Sequence, residues 1–332
     1  MSRPTFPNRE ETVNADWTFQ KNLAVNGTLT GGNVGYKGQG KEFYVDAVSG
    51  SDGYDGLTAK TAKASLAAAY ALTTSGKNDT IYLLSSTSMM NLAATLTWSK
   101  SETHLVGVGS PSRMAQRARI GHSANFSPLI TVSGDGCLFS NLYISHGRGS
   151  ATNLIAVTIT GGRNAFENVH FAGPQHATEA AEATYMTVNI SGADAAENTF
   201  VGCVLGNNTI ARSAANCAVN FTGGAPRTFF EDCYFVMMSS AATPVHVAID
   251  ATGIDRFAIF KNCFFHSHGT TLTQAIDSNI SDTTNRQVFI LGDSVSVGAT
   301  DIADATGDGT IWFKPDTATA NVALLGVNVA VA

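Results

Sequence analysis

Charged residues are scarce in this chain, and long apolar runs are missing. Only 14% of the 332 residues are Asp, Glu, Lys or Arg, whereas an average domain has about 25%. The net charge of −6 offers no basic surface to DNA or RNA, so we expect no nucleic-acid partner. No apolar run approaches the ~20 residues that cross a bilayer, so we expect no membrane partner. A charged-then-apolar signal peptide is also missing, so export by that route is not predicted.

Cysteine is rare, and its spacing fits no zinc site. The cysteines are Cys137, Cys203, Cys217, Cys233 and Cys263. Their number is odd, and none belongs to a Cys-x-x-Cys or Cys/His pattern. We therefore expect free, buried thiols and no cofactor. The alternative is a disulfide between stacked repeats, which needs a geometry that in-register stacking does not naturally supply.

The chain does contain a repeat of about thirty residues. Each copy has an aromatic or aliphatic residue, any residue, a small turn former, an apolar residue, any residue and an apolar residue. The copies are residues 139–144, 166–171, 200–205, 230–235, 260–265 and 290–295. Their turn formers lie 27 to 34 residues apart. Such a period, made of strands and turns, predicts an all-β solenoid whose unit is one coil of a single-stranded parallel β-helix.

A second apolar ladder lies upstream of each copy. Alternate residues of a strand share a face, so the ladder should point inward. Its last members are Ile159, Ile190, Phe221, Ile249 and Ile276, at intervals of 27 to 31 residues. Each coil should therefore run strand, turn, strand, Asn/Asp/Gly corner, strand.

Parallel stacking places equivalent residues of successive coils about 4.8 Å apart, in columns. One predicted interior column is Phe166, Phe200, Phe230 and Phe260, and another is Val169, Cys203, Cys233 and Cys263. The corner column is Asn141, Asn168, Asp232 and Asn262. Asn and Asp suit the corner because they tolerate the left-handed backbone conformation.

The chain divides into four parts. Residues 1–40 form an N-terminal attachment arm and Gly-rich linker, with too little apolar surface to fold alone. Residues 41–84 hold a strand, a capping helix from Ser65 to Gly76, and the first coil. Residues 85–296 are the β-helix coils. Residues 297–332 supply C-terminal strands, 310–313 and 322–331, as a cap or subunit contact.

The opening of the coiled part resembles known proteins. The sequence Phe43-Tyr-Val-Asp-Ala-Val-Ser-Gly-Ser-Asp-Gly-Tyr-Asp-Gly-Leu57, the helix, Asp79-Thr-Ile-Tyr-Leu83 and Leu105-Val-Gly-Val-Gly109 are similar to the right-handed parallel β-helix proteins of tailed bacteriophages. The resemblance covers roughly residues 41–295. It implies a right-handed β-helix on the virion surface, assembled in the host cytoplasm and commonly trimeric.

Catalysis on a glycosidic bond would need two carboxylates about 5 to 9.5 Å apart. Asp250 and Asp277 are the first candidates, since they follow inward Ile249 and Ile276 and should stack on adjacent coils. Glu231 and Asp232 are the second. Asp250 and Asp277 also precede turn sequences and are favoured as turn formers. The tryptophans lie outside the repeats, so no aromatic sugar platform is predicted on the coils.

Two groups of residues are candidate metal ligands. His266 and His268 put two imidazoles on one face of a strand, as a metal pair requires, although a solvated surface pair is favoured. Asp46, Asp52 and Asp55 cluster near the first strand, where turn chemistry is favoured over Ca²⁺ because their spacing is not that of an EF-hand.

The sequence therefore predicts a non-enzymatic phage virion surface protein. We expect a homotrimeric head decoration or spike protein, attached to the major capsid protein or another head protein through Trp17, Phe19, Leu23 and Val25. One alternative is a tail spike or tail fibre, joined to tail proteins and binding host glycan. The other is a β-helix enzyme that degrades polysaccharide.

Overall fold

A computed structural model of the chain describes residues 40–109, 112–282, 285–303 and 310–312. Almost all of the predicted arm, with Trp17, Phe19, Leu23 and Val25, lies outside the described residues. The predicted strand at 322–331 lies outside them as well.

The described chain forms three parallel sheets, whose strands are numbered in chain order. Sheet A has β1 (Glu42–Val45), β2 (Asp79–Leu84), β5 (Thr103–Val108), β8 (Leu138–Ser140), β11 (Ala165–Glu167), β14 (Thr199–Val201), β17 (Ala225–Glu231), β20 (Ile254–Lys261), β23 (Gln287–Leu291) and β26 (Thr310–Trp312). Sheet B has β3 (Met90–Leu92), β6 (Arg119–His122), β9 (Tyr143–Ser145), β12 (His170–Ala172), β15 (Val204–Arg212), β18 (Tyr234–Ser239), β21 (Phe264–Gly269) and β24 (Val295–Val297). Sheet C has β4 (Leu96–Trp98), β7 (Ile130–Val132), β10 (Ile155–Ile159), β13 (Met186–Ser191), β16 (Cys217–Thr222), β19 (Val245–Ile249), β22 (Leu272–Ser278) and β25 (Ala299–Ala303).

Each coil gives one strand to each sheet, and every strand stacks on the equivalent strand of the previous coil. The protein is a right-handed parallel β-helix of about 7 turns, so the predicted fold class is confirmed. Its helices in the described residues are a 3-10 turn, Ala59–Thr61, and two α-helices, α1 (Leu66–Leu72) and α2 (Ala177–Ala180).

The predicted phenylalanine column runs through the interior. Phe166, Phe200, Phe230 and Phe260 are at most 1% exposed and stack at centroid distances of 4.5 to 5.0 Å. Phe139 extends the column by one coil. Near-parallel rings repeat because in-register pairing brings identical side chains to the same height on successive coils.

The corner after this column has a left-handed backbone in every coil of the repeat. The φ angles lie between 51° and 64° at Asn141, Asn168, Gly202, Asp232, Asn262 and Gly292. The amide of Asn168 donates to Asn141 Oδ1 at 2.8 Å, so side chains of successive corners also bond to each other. The repeat contains Asn, Asp or Gly here because these residues adopt positive φ at the lowest cost.

The predicted position of Ile276, the last member of the upstream ladder, is wrong. Ile159, Ile190, Phe221 and Ile249 pair in register, but Ile276 pairs with Val247 and Ser278 pairs with Ile249. A buried serine occupies the final inward position of β22, so the apolar pattern ends two residues early.

Helix α1 caps the N-terminal end of the solenoid. Ser65 is its N-cap, as predicted, and Leu66, Ala69 and Tyr70 are buried. The Tyr70 ring lies 4.4 Å from that of Trp98 in the first coil. The helix ends at Leu72 with Thr73 as C-cap, before the predicted Gly76, because the Thr73 amide and hydroxyl both donate to the Tyr70 carbonyl.

The β-helix also continues past the predicted boundary at residue 296. Strand β25 pairs with β22 and β26 pairs with β23, so both belong to the coils. The last repeat carries one extra corner residue, Asp293. As a result Val295 pairs with Phe264 and is 49% exposed, while Ser296 takes the position of Phe265.

Candidate functional site

The structure separates the predicted carboxylate pair. Asp277 pairs with Ala248, whereas Asp250 lies past the end of β19, exposed, in the turn closed by the Gly253 amide. The stacking prediction is therefore wrong, for the same reason that Ile276 is displaced. Asp277 accepts a hydrogen bond from Gln274 Nε2 at 2.8 Å. In the second candidate pair, Glu231 forms an exposed ion pair with Lys261 at 2.6 Å.

The two histidines of β21 both lie on its outward face. His266 is half-buried and lies 2.8 Å from the Tyr234 hydroxyl, whereas His268 is exposed. Within the described residues, no group of three or more His, Cys, Asp or Glu side chains could hold a metal ion. In the aspartate cluster, Asp46 and Asp55 accept backbone amides, and Asp52 accepts the amide and hydroxyl of Ser65.

The main feature of sheet B is a flap, residues 112–118, between β5 and β6. Its Ala115 amide donates to His170 Nδ1 at 3.1 Å, and Gln116 Nε2 donates to the Asn168 carbonyl at 2.6 Å. Arg113 Nη1 donates to the Asp232 carbonyl at 2.8 Å, 119 residues away in the chain. The flap thus crosses the outward face of several coils.

His170 is held neutral under the flap. It is 4% exposed, and burial lowers its pKa to about 4. Because Nδ1 accepts the Ala115 amide, the ring proton is on Nε2, which donates to the Gly206 carbonyl at 2.9 Å.

Beside the flap lies an open depression of about 370 Å³, lined by Arg113, Asp232, Cys233, Tyr234, Asn262 and Phe264. The Tyr234 and Phe264 rings stack at 5.2 Å on the outward face of sheet B, and Phe264 is 36% exposed. Asn262 Nδ2 donates to Asp232 Oδ1 at 3.3 Å, while Asn262 Oδ1 accepts the Asp293 amide.

The sequence prediction missed this aromatic pair. Tyr234 and Phe264 stand at the repeat position that accepts any residue, and Tyr143 and His170 also place rings there on two earlier coils. The side-chain type at that position was the signal that could have revealed the pair. No local sequence pattern predicts the flap, because its contacts join segments that are far apart in the chain.

The outward face of sheet A carries an apolar stripe, which we define as Val201, Phe229, Phe257, Ile259 and Phe289. Val201 and Phe229 are 36% and 37% exposed, and the other three are half-buried. The Phe257 ring contacts those of Phe229 and Phe289.

Ion pairs flank this stripe. Lys261 and Glu231 pair along one side, while Glu197 bridges Arg163 and Arg227 along the other at 2.9 and 2.7 Å. An apolar patch with a polar rim is typical of a protein–protein contact surface.

A buried polar cluster lies behind α2. The rings of His122 and His146 stack at 5.0 Å, and Glu179 accepts the amides of residues 148–150. Burial raises the pKa of Glu179, but these backbone donors outweigh it and leave the pKa lowered. Arg212 is fully buried and bonds only neutral oxygens, with its guanidinium 5.4 Å from the Tyr185 ring. These bonds join the loops around α2 to the strands of the β-helix.

No protein-family model and no curated protein sequence matches the chain. Solved structures do match its fold. Pectin methylesterase from Aspergillus niger is 16% identical, covers 87% of this chain and 91% of its own, and has a TM-score of 0.52. Pectin methylesterase PemA from Erwinia chrysanthemi is 14% identical over 85% and 92%, with a TM-score of 0.55.

A phage protein, ORF18 of Geobacillus virus E2, also matches, at 12% identity over 70% of this chain and 55% of its own. Its TM-score of 0.32 is too low to indicate a shared fold. At these identities the likeness to the pectin methylesterases establishes the parallel β-helix fold alone.

In the described part of the chain, neither α-helix has the length and apolar character that a membrane span requires.

Proposed function

We propose that this protein is a non-enzymatic surface component of a tailed-phage virion, a homotrimeric head decoration or spike protein attached through residues 1–40. The virion role rests on the sequence resemblance of residues 41–295. The observation that supports assembly is the apolar stripe on sheet A. Three contacting phenylalanine rings on an outward face lower the solubility of an isolated β-helix, so the stripe indicates a contact surface.

A second copy of the same chain is the partner that fits the stripe. The stripe carries no charge, so copies that meet there bring no like charges into direct contact, although each chain has a net charge of −6. The rim presents both signs, with Arg227 and Lys261 next to Glu197 and Glu231, and can pair with itself.

Light scattering on the full chain tests the assembly. We expect a trimer for the wild type and a monomer for Phe229→Asp, which places a charge within the stripe. Val108→Asp is the matched control, since Val108 is 41% exposed on sheet A outside the stripe, and it should stay trimeric. A monomeric wild type, or dissociation by both substitutions, would contradict the assembly.

The virion role is tested by quantifying the protein in purified phage particles. Hundreds of copies per particle would support head decoration, whereas a few trimers would favour the tail spike. Absence from the particle would contradict both.

The second candidate, a tail adhesin for host glycan, is favoured by the depression beside Arg113. The third, a polysaccharide-degrading enzyme, is suggested by the fold shared with pectin methylesterases, but Asp250 and Asp277 do not form the carboxylate pair that hydrolysis of a glycosidic bond would need. Release of methanol or new reducing ends from pectin by the wild type would overturn the non-enzymatic proposal, and loss of that release in Asp250→Asn would assign it to Asp250.

A further inference from the structure

We propose that the depression between the flap and sheet B binds a neutral sugar residue of a polysaccharide. A sugar site would serve the tail-adhesin alternative directly, but a decoration protein can carry it too, so the proposal does not depend on the head-decoration role. The observation behind it is that one small depression combines hydrogen-bond donors, an acceptor and two aromatic rings.

The polar groups match the hydroxyls of a sugar. Neighbouring hydroxyls of a pyranose each donate and accept, so a site for them needs both kinds of partner close together. Arg113 donates one N–H group to the Asp232 carbonyl. The rest of its guanidinium is exposed to solvent and supplies further donors. The Asp232 carboxylate, 3.3 Å from Asn262 Nδ2, supplies acceptors.

The apolar wall matches the carbon face of the same ring. A pyranose presents C–H groups on its faces and hydroxyls at its edge, so it can pack on an aromatic side chain while its edge meets polar groups. Phe264 is 36% exposed and Tyr234 is half-buried beside it. Covering these rings removes apolar surface from water, which favours binding.

The flap is built to keep Arg113 in position. Ala115 has φ of 53°, a conformation that a non-glycine residue adopts only when its surroundings hold it there. The contacts of Ala115 with His170 and of Gln116 with Asn168 provide that support. Arg113 is thus carried on a braced segment, and the depression exists without a ligand.

The charge and size of the depression narrow the ligand class. Arg113 and Asp232 give the lining of the depression one charge of each sign, so it has no net charge to attract an ionic ligand. A depression of about 370 Å³ is at the low end of the roughly 300 to 1,000 Å³ of small-molecule sites. Both facts favour one neutral sugar unit over an acidic glycan or a protein segment.

Saturation-transfer NMR on the full chain tests the proposal, with di- and trisaccharides of glucose, galactose, mannose and N-acetylglucosamine as probes. We expect signals from at least one probe. Phe264→Ala and Arg113→Gln should each weaken its binding by about tenfold or more, the loss expected when one well-placed contact is removed.

Two matched controls should bind like the wild type. Phe229→Ala removes an equally exposed phenylalanine from the other sheet, and Arg117→Gln removes an exposed arginine from the same flap. If no probe binds the wild type, or if the controls weaken binding as much as Phe264→Ala does, the proposal is wrong. Loss of trimerisation in Phe229→Asp with sugar binding intact would separate this site from the proposed assembly surface.

Discussion

The thiol of Cys233 is in hydrogen-bonding contact with the carbonyl oxygen of Phe200, one coil earlier, at 3.4 Å, and with that of Glu231 at the same distance. The same bond joins Cys203 to Phe166 at 3.2 Å and Cys263 to Phe230 at 3.5 Å. In the final repeat the Ser294 hydroxyl lies 3.4 Å from the Phe260 carbonyl oxygen and donates to the Leu291 carbonyl at 2.8 Å. The cysteine column therefore fills space and also gives each buried thiol a carbonyl acceptor at the corner where the backbone leaves the sheet.

These thiols should resist modification in the folded protein. All three are at most 1% exposed, and burial raises the pKa of Cys233 and of Cys263, so the reactive thiolate is suppressed. We expect slow labelling by a maleimide under native conditions and labelling of all five cysteines after denaturation. Rapid native labelling, or disulfides in non-reducing mass spectra, would contradict this.

Truncating the phenylalanine column should be strongly destabilising. Phe230 is fully buried between Phe200 and Phe260, so Phe230→Ala should lower the free energy of unfolding by about 3 to 5 kcal/mol through the cavity it leaves. Phe264→Ala is the control, because Phe264 is 36% exposed on the outward face of sheet B, and it should cost under about 1 kcal/mol. Similar losses for both variants in urea unfolding would contradict the register described here.

The interior of the β-helix could be predicted because its signal is periodic. Phenylalanine, the turn former and cysteine recur at fixed positions, and stacking makes each recurrence a contact. The prediction failed where a polar residue took an inward position, as Ser278 does, or where the corner gained a residue, as at Asp293. Those changes shift the register, and because Ser278 and Asp293 are polar, the apolar periodicity does not reveal the shift.

The candidate site was less predictable for a different reason. Outward positions tolerate any residue, so Tyr234 and Phe264 did not stand out from the repeat. Arg113 reaches Asp232 through a flap that breaks the thirty-residue period, and a long-range contact of that kind has no local pattern. The predicted pairing of Asp250 with Asp277 fails because it assumes that Ile249 pairs with Ile276, whereas Ile249 pairs with Ser278.

Acid should destabilise the fold between about pH 6.5 and pH 4. Burial lowers the pKa of His146 and of His170 from 6.5 to about 4, so in this range the unfolded chain binds more protons than the folded one. Stability is then full above pH 6.5 and falls as the pH drops, by at most roughly 3 kcal/mol for each histidine.

Melting temperatures measured from pH 7 to pH 4 test this dependence. The wild type should lose stability steadily, whereas His170→Gln, which cannot be protonated, should lose less over the same range. The surface variant His268→Gln serves as control, because His268 is exposed, and it should follow the wild type. A flat wild-type profile, or a His170→Gln profile parallel to it, would contradict the assignment of a buried neutral His170.

Deleting residues 1–35 should separate folding from attachment. Each described strand pairs with others inside residues 40–312, and α1 caps the first coil, so the shortened chain should keep its melting transition within a few degrees. We expect it to lose incorporation into phage particles, because the arm is where we place the contact with the capsid. Replacing Trp17 and Phe19 together by alanine in the full chain should weaken incorporation in the same direction, since buried aromatic residues dominate such contacts. A truncated protein that still decorates heads would move the contact onto the β-helix, and binding to isolated tails alone would favour the tail spike.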